Sequence, residues 1–590
     1  MGVNEMNDKN GISRRQFLGL TGGVLGAAAL ASMGMNINWT KNNRELDPDK
    51  VDYKENETDV LVIGGGMTGL FAAVKGYDAG AKVLVVSKGR LGTSGQTPFA
   101  KGIMSYDSDT ASLTLDEFTN KVSASALQTN NPVYTRQMAE HSKERVDELE
   151  EWGFFKSPLC YDSFNKPISE RKIPVMERIM ITHLIKENGR IAGAAGFSID
   201  DAVIHVFKAK SVILCTGAGG FKPNGFPICD LTHDGSIMAY KIGAKITGKE
   251  WNDGHSGSTI NPAACYDGWH GMFEQTPSTT GVEVHHDLGV DVNYKAYKLG
   301  NPVSMMPGRG DSVEVEGGPY IPAAFSMKDR QEGPPPGDKN GPPSGSKNGP
   351  PPGGKDGAPP GMAGSSSGGA SAGMSIHKSE GLVPINEKGE SNIPGLYAAG
   401  DALGSYMAGA IYTQIGSSLA GSAVQGTIVS QAAAEYSKTV QFQTISTRQI
   451  NRIKEEILAP LKRDSGYSPA WVTQTLQGIM IPNFVLYIKK ESILKGALAY
   501  IEELRNHHSP MLKAANLHEL RLAHETSNMI INAEMKLKAS IMRKESRCSH
   551  FRLDYPEVDY ENWQAWINIY QGSDGEMKLE KQDFDKWPAQ

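Results

Sequence analysis

The sequence predicts an α/β fold: a parallel sheet flanked by helices, split by a long insertion and followed by a C-terminal helical domain. Three observations predict it. Glu57–Lys88 reads as strand, glycine turn, helix, strand. Two further apolar runs ending in glycine lie at Val212–Gly220 and Leu396–Gly400. Beyond Val440 the pattern turns helical, with Met529, Ala533, Leu537 and Ile541 four residues apart on one helix face.

In the first unit, Val60–Ile63 is a buried strand and Gly64-Gly65-Gly66-Met67-Thr68-Gly69 a tight turn. Leu70, Ala73 and Val74 recur at helical spacing, and Val83–Val86 is the next strand. A glycine fingerprint alone says little. Between a strand and a helix it marks the Rossmann unit, whose glycines let backbone approach a pyrophosphate at a helix N-terminus. The second strand ends in Ser87-Lys88, where an acidic residue would ordinarily hold a ribose hydroxyl. This unit alone therefore does not select the nucleotide.

The downstream segments do. Val212–Gly220 is a strand ending in Thr216, Gly217 and further glycines. Leu396–Ala399 leads into Gly400-Asp401, and Gly416-Ser417-Ser418 opens a helix near Leu419. Together the three segments resemble the succinate dehydrogenase and fumarate reductase flavoprotein family. Arg543–Trp563 is similar to the arginine- and tyrosine-rich segment near that family's C-terminus. The resemblance implies a Rossmann-like FAD-binding domain, an inserted α+β capping domain and a C-terminal helical domain. It assigns FAD contacts to Gly64, Gly66, Met67, Thr68, Gly69, Ser87, Lys88, Ser94, Gln96, Thr97, Gly102, Thr216, Gly217, Asp234, Asp401, Ser417, Ser418 and Leu419. Members with covalent flavin carry a histidine before the threonine of the Ser94–Thr97 stretch. Here that residue is Gln96, an amide that cannot form the histidyl bond, so FAD is expected to bind noncovalently. The helix opening at Ser417 would turn its positive end toward the reduced flavin.

The domains follow. Residues 57–250 and 376–440 form the two parts of the FAD-binding domain, residues 251–375 the cap, and residues 441–590 the helical domain. Asn36–Asn56 is a polar leader. Within the cap, residues 333–361 repeat GPPPGDKNG-like copies, too rich in proline and glycine to build a core. A tolerated surface expansion explains them, with partner docking as the alternative.

At the N-terminus, Ser13-Arg14-Arg15-Gln16-Phe17-Leu18 is a twin-arginine pattern. A short apolar stretch follows, and Ala29-Leu30-Ala31 offers a small-residue cleavage site. Residues 1–31 thus read as an export signal, delivering a folded, cofactor-loaded protein to the periplasm or cell surface. The stretch is weakly apolar for a membrane helix, which needs ~20 strongly apolar residues, so no stable span is expected after cleavage. The alternative is a retained anchor.

Formal charge is −6, so no nucleic-acid footprint is visible. The five cysteines, Cys160, Cys215, Cys229, Cys265 and Cys548, are scattered and include no C-x-x-C. They form neither a disulfide framework nor iron–sulfur or haem attachment sites. His285-His286 has no carboxylates at metal spacing, and no G-x-S-x-G occurs in a strand-to-helix setting. With flavin as the sole built-in redox centre, electrons must be exchanged with a separate partner: a cytochrome, an iron–sulfur protein or a quinone-linked donor.

Substrate residues depart from the family pattern. Members carry a glutamate and, five residues on, the histidine of a His-Pro-Thr-Gly turn. Here these positions are Glu250 and His255, followed by Ser256 and Ser258 as hydrogen-bond donors. The family's Arg-Gly-Glu-Gly-Gly, whose arginine delivers a proton, is absent; Arg309 is the nearest arginine by position. Counting on from Asp401, a second histidine falls on Ala408 and a carboxylate-binding arginine on Tyr412. Each charge-assisted hydrogen bond contributes roughly 1.5–3 kcal/mol, so losing two or three disfavours a dicarboxylate. Tyr412 offers instead a phenol that can donate a proton. The expectation is an FAD-dependent oxidoreductase acting on a small molecule. It would reduce an activated C=C bond, or run the reverse desaturation, with hydride at flavin N5. Tyr412 or Arg309 would be the acid, and His255 would orient the substrate. The alternatives are an oxidase or dehydrogenase of another small substrate, or a non-catalytic electron-transfer subunit.

Overall fold

The computed structural model describes Pro48 and residues 51–99, 103–156, 160–221, 231–251, 253–255, 279–280, 374–377, 380–404, 409–410, 416–486, 488–548 and 550–587. All belong to one compact unit, Pro48–Gln590. The twin-arginine segment, the 333–361 repeats, Gly102, Arg309, Ala408 and Tyr412 lie outside the described residues.

The central sheet starts with β1 (Asp52–Ile63), followed by helix α1 (Met67–Asp78) and β2 (Val83–Val86). β3 (Val175–Met176), β4 (Ile179–Glu187), β5 (Arg190–Ser198) and β6 (Val203–Leu214) come next. Their spatial order is β3-β2-β1-β6-β5-β4. The glycine-turn strands pair in parallel, Ile63 opposite Val86 on one side and Leu214 on the other. Val60, Leu61 and Val62 are fully buried, as a parallel strand covered on both faces requires. The sequence predicts a polar leader as far as Asn56. The structure corrects this: Asp52–Asn56 already belongs to β1, pairing with Val203–Phe207. Backbone pairing sets that extension, so no apolar run announces it.

Beyond β6 come β7 (Gly219–Phe221), helix α2 (Asp234–Lys241), β8 (Ile246–Thr247) and β9 (Asp253–His255). After the insertion, of which the structure describes only short pieces, the chain returns through β10 (Met374–His377), β11 (Gly381–Leu382) and β12 (Leu396–Ala398). β12 joins the central sheet beside β6, and helix α3 (Ser417–Thr439) follows. β9, β10 and β7 form a separate antiparallel sheet, with His255 opposite Met374. β10 thus pairs with the insertion's first strand, although it lies at the expected start of the second FAD segment.

The last region is helical through α4 (Leu517–Met542). Met529, Ala533 and Leu537 are buried there in an apolar cluster, as the four-residue spacing predicts. Helix does not extend to the C-terminus. β13 (Ala565–Gln571) and β14 (Met577–Asp583) form a hairpin that joins β8 and β11 in a four-stranded sheet. Ala565–Ile569 is buried throughout, which a reading for helical period passes over. No described helix is long and apolar enough to cross a membrane.

Candidate functional site

The glycine turn, the end of β2 and the ends of β6 and β12 converge on one cleft. Gly64, Gly66, Met67, Thr68, Ser87, Lys88, Ser94, Gln96, Thr97, Thr216, Gly217, Asp234 and Asp401 all line it. A neighbouring chamber of about 700 Å³ shares Gly89, Ser94 and Leu231 with the cleft. Gly69 serves differently. A Cβ there would lie 2.0 Å from the Gly64 carbonyl oxygen, so the missing side chain lets helix and turn close on each other. Ser417, Ser418 and Leu419 form the first turn of α3, and the residue of that helix lining the cleft is Ser422, one turn further.

The cleft suits a dinucleotide. α1 opens at Gly66 with no side-chain cap and no acidic residue in its first turn, which leaves its positive end for an anion. The Thr216 hydroxyl is buried in the cleft wall without a hydrogen-bond partner among the described residues, a group that a ligand hydroxyl or phosphate would satisfy. Thr97 Oγ1 accepts from the Met67 backbone N–H at 3.1 Å. Gln96 Nε2 donates to Asp401 Oδ2 at 3.4 Å, joining the Ser94–Thr97 stretch to the segment that follows β12.

Lys88 occupies the place of the absent acidic residue, and tertiary structure supplies carboxylates around it. Its ammonium donates to Asp234 Oδ2 at 2.7 Å, Thr232 Oγ1 at 2.7 Å and Glu525 Oε1 at 2.8 Å. Burial pushes the Asp234 carboxyl up and Lys88 pulls it down; the net lies below the usual range, so Asp234 is ionised. Asn528 Nδ2 donates to its other oxygen at 2.8 Å. Sequence reasoning missed Glu525 and Asn528. The available signal was a polar stripe on α4, Glu525, Asn528, Asn532 and Lys536, beside the apolar one.

β9 carries His255 and its flanking segment carries Glu250. Glu250 is fully buried and bound to Arg543 at 2.9 Å, which also bonds Glu545 at 2.7 Å. Arg547 holds Glu545 at 2.8 Å, and Arg543 lies 4.5 Å from the Trp251 ring centroid. The arginine-rich segment is therefore a buried ionic brace on the segment that precedes β9. Cys215 is a buried free thiol in the cleft wall, pushed up by burial and so held protonated. Among the described residues no metal-ligand cluster occurs.

Comparisons with known proteins give two family matches. Residues 59–162 match the FAD binding domain family, and residues 473–589 match the fumarate reductase flavoprotein C-terminal family. An uncharacterized FAD-dependent oxidoreductase of Methanocaldococcus jannaschii is 26% identical over 90% of this chain and 98% of its own. One subunit of the fumarate reductase (CoM/CoB) of Methanothermobacter marburgensis is 24% identical over 85% of this chain and 95% of its own. In fold, an E. coli quinol fumarate reductase FrdA variant has a TM-score of 0.65 at 15% identity, covering 90% of this chain and 97% of its own. Adenylylsulfate reductase of Archaeoglobus fulgidus has a TM-score of 0.64 at 20% identity, covering 91% and 97%.

Proposed function

Because the chain belongs to the FAD-dependent oxidoreductase family of fumarate reductase and succinate dehydrogenase flavoproteins, we propose that it reduces an activated C=C bond, or runs the reverse desaturation. The observation that carries this reading is the convergence of the three separated segments on one cleft. FAD, when bound, supplies hydride exchange at its flavin ring. His255 holds a substrate carboxylate, and Tyr412 or Arg309 donates the proton to the neighbouring carbon. The first turn of α3 favours negative charge near its N-terminus. Electrons come from a separate donor, or in the desaturation pass to a separate acceptor: a cytochrome, an iron–sulfur protein or a quinone-linked protein.

Ala408 and Tyr412, in place of a histidine and an arginine, favour an enoate with a single carboxylate over fumarate. Purified protein with a reduced viologen dye should turn over monocarboxylate or aromatic enoates at least roughly tenfold better than fumarate, the discrimination of one lost charged contact. Brisk fumarate reduction would overturn the substrate class. Absence of turnover with every enoate would favour an electron-transfer subunit.

The twin-arginine segment supports export before the enzyme meets its donor. Replacing both Arg14 and Arg15 with lysine should strand FAD-loaded protein in the cytoplasm, as read by fractionation. Undiminished export would remove this part of the reading.

A further inference from the structure

α4 connects the cofactor cleft with the substrate-side strands through buried polar residues. Asn528 holds Asp234 in the cleft wall. One turn on, Asn532 Oδ1 accepts from Lys249 Nζ at 2.5 Å, and its Nδ2 faces His233 Nε2 at 2.9 Å. A further turn on, Lys536 Nζ donates to the carbonyls of Lys249 at 3.0 Å and Trp251 at 2.7 Å. Glu380 closes the ring, 2.5 Å from His233 Nδ1 and 3.2 Å from Lys249 Nζ. The side chains of His233, Lys249, Glu380, Asn532 and Lys536 are all buried.

The geometry assigns protons. The Lys249 ammonium can only donate, so the Asn532 carbonyl must face it and the Asn532 amide must face His233. His233 Nε2 is then an acceptor, and its proton sits on Nδ1, toward Glu380. The ring therefore holds a neutral imidazole between one carboxylate and one ammonium. Gly219 is shaped for this: a Cβ there would lie 2.0 Å from the His233 ring. The ring also sits where the chain enters and leaves the substrate-side strands. Lys249 precedes β9, Glu380 follows β10, and Gly219 begins β7.

We propose that this ring with Lys536 is a proton store, with Lys536 as its labile member, that takes up a proton when negative charge arrives in the cofactor cleft. The inference rests on the flavoenzyme reading above. Reduction adds negative charge to the cleft, and the Lys536 amine answers by binding a proton from solvent, forming an N–H bond and an ammonium. The groups facing Lys536 pull in opposite directions, so a small change in field shifts its charge state. Glu380 and Glu250 favour its charge, while Lys249 opposes it. Lys489 and His233 also lie within its electrostatic reach. Burial lowers the Lys536 ammonium to about 7. Burial lowers Lys249 and His233 too, with Glu380 working against the shift in both.

Two measurements test the proposal. The folded value of Lys536 lies below its ordinary 10.5, so the unfolded chain binds more protons between about pH 7 and 10.5. Stability of the purified protein should therefore climb with pH across that window, and Lys536→Met should flatten the climb. During electrochemical reduction at pH 8, an indicator dye should report more protons taken up per flavin by wild type than by Lys536→Met or Lys536→Arg. The difference should vanish at pH 5.5, where the amine is already protonated. Equal uptake at pH 8 by wild type and variants with flavin bound overturns the proton store and leaves the flavoenzyme reading standing. Should both variants misfold, the wild type alone decides: a potential-against-pH slope at pH 8 of about one proton per two electrons overturns the store. A steeper slope supports it. Protein isolated without flavin overturns both readings.

Discussion

Gly66→Val should yield a folded protein without flavin. Gly66 caps the N-terminus of α1 in the cleft wall, where a pyrophosphate would meet the backbone. Among the described residues a Cβ there meets only the Thr97 hydroxyl, at 3.1 Å, which can shift slightly. The clash therefore falls on the ligand and spares the fold. Gly64 makes the contrast: its φ is +123°, and a Cβ would lie 2.1 Å from the Cys215 carbonyl oxygen. Gly64→Ala should accordingly lose folded yield as well as flavin. Flavin absorbance and circular dichroism on the two purified variants separate the effects. Wild type should release yellow flavin into the supernatant on acid precipitation, because Gln96 offers no covalent attachment. A Gly66→Val protein with full flavin content would refute the cleft assignment, and a yellow pellet from wild type would refute noncovalent binding.

Arg543→Met should cost roughly 3–5 kcal/mol of stability, the usual result of removing one member of a buried ion pair. Arg543 and Glu250 are both fully buried, and the substitution strips the Glu250 carboxylate of its cation. Glu545 is less affected because Arg547 still holds it at 2.8 Å. Adding Glu250→Gln to Arg543→Met should recover part of the loss, since no uncompensated charge then remains inside. Urea unfolding of the two single variants and the double variant gives the coupling. A single variant as stable as wild type would show that the brace contributes nothing.

The family and cofactor class were legible in the sequence because their signals are local. Val60–Ile63, the Gly64–Gly69 turn and Val83–Val86 lie within one short stretch, and a glycine at a strand-to-helix turn has few other reasons to exist. The α4 stripe at Met529, Ala533 and Leu537 was legible for the same reason, since period alone identifies a helix face. The hairpin at Ala565–Asp583 was not: its burial comes from β8, more than 300 residues earlier in the chain.

The sequence by itself determined that three distant segments carry dinucleotide-binding chemistry and that the usual acidic residue after β2 is missing. Only the tertiary structure decided what replaces it. Lys88 is bracketed by Asp234 from α2 and Glu525 from α4, and α4 links the cleft to the ring around Glu380. Neither arrangement leaves a local trace. A lone lysine, histidine or asparagine reads as a surface residue until folding brings its partners within hydrogen-bonding distance, and burial then makes each of them obligatory to the others.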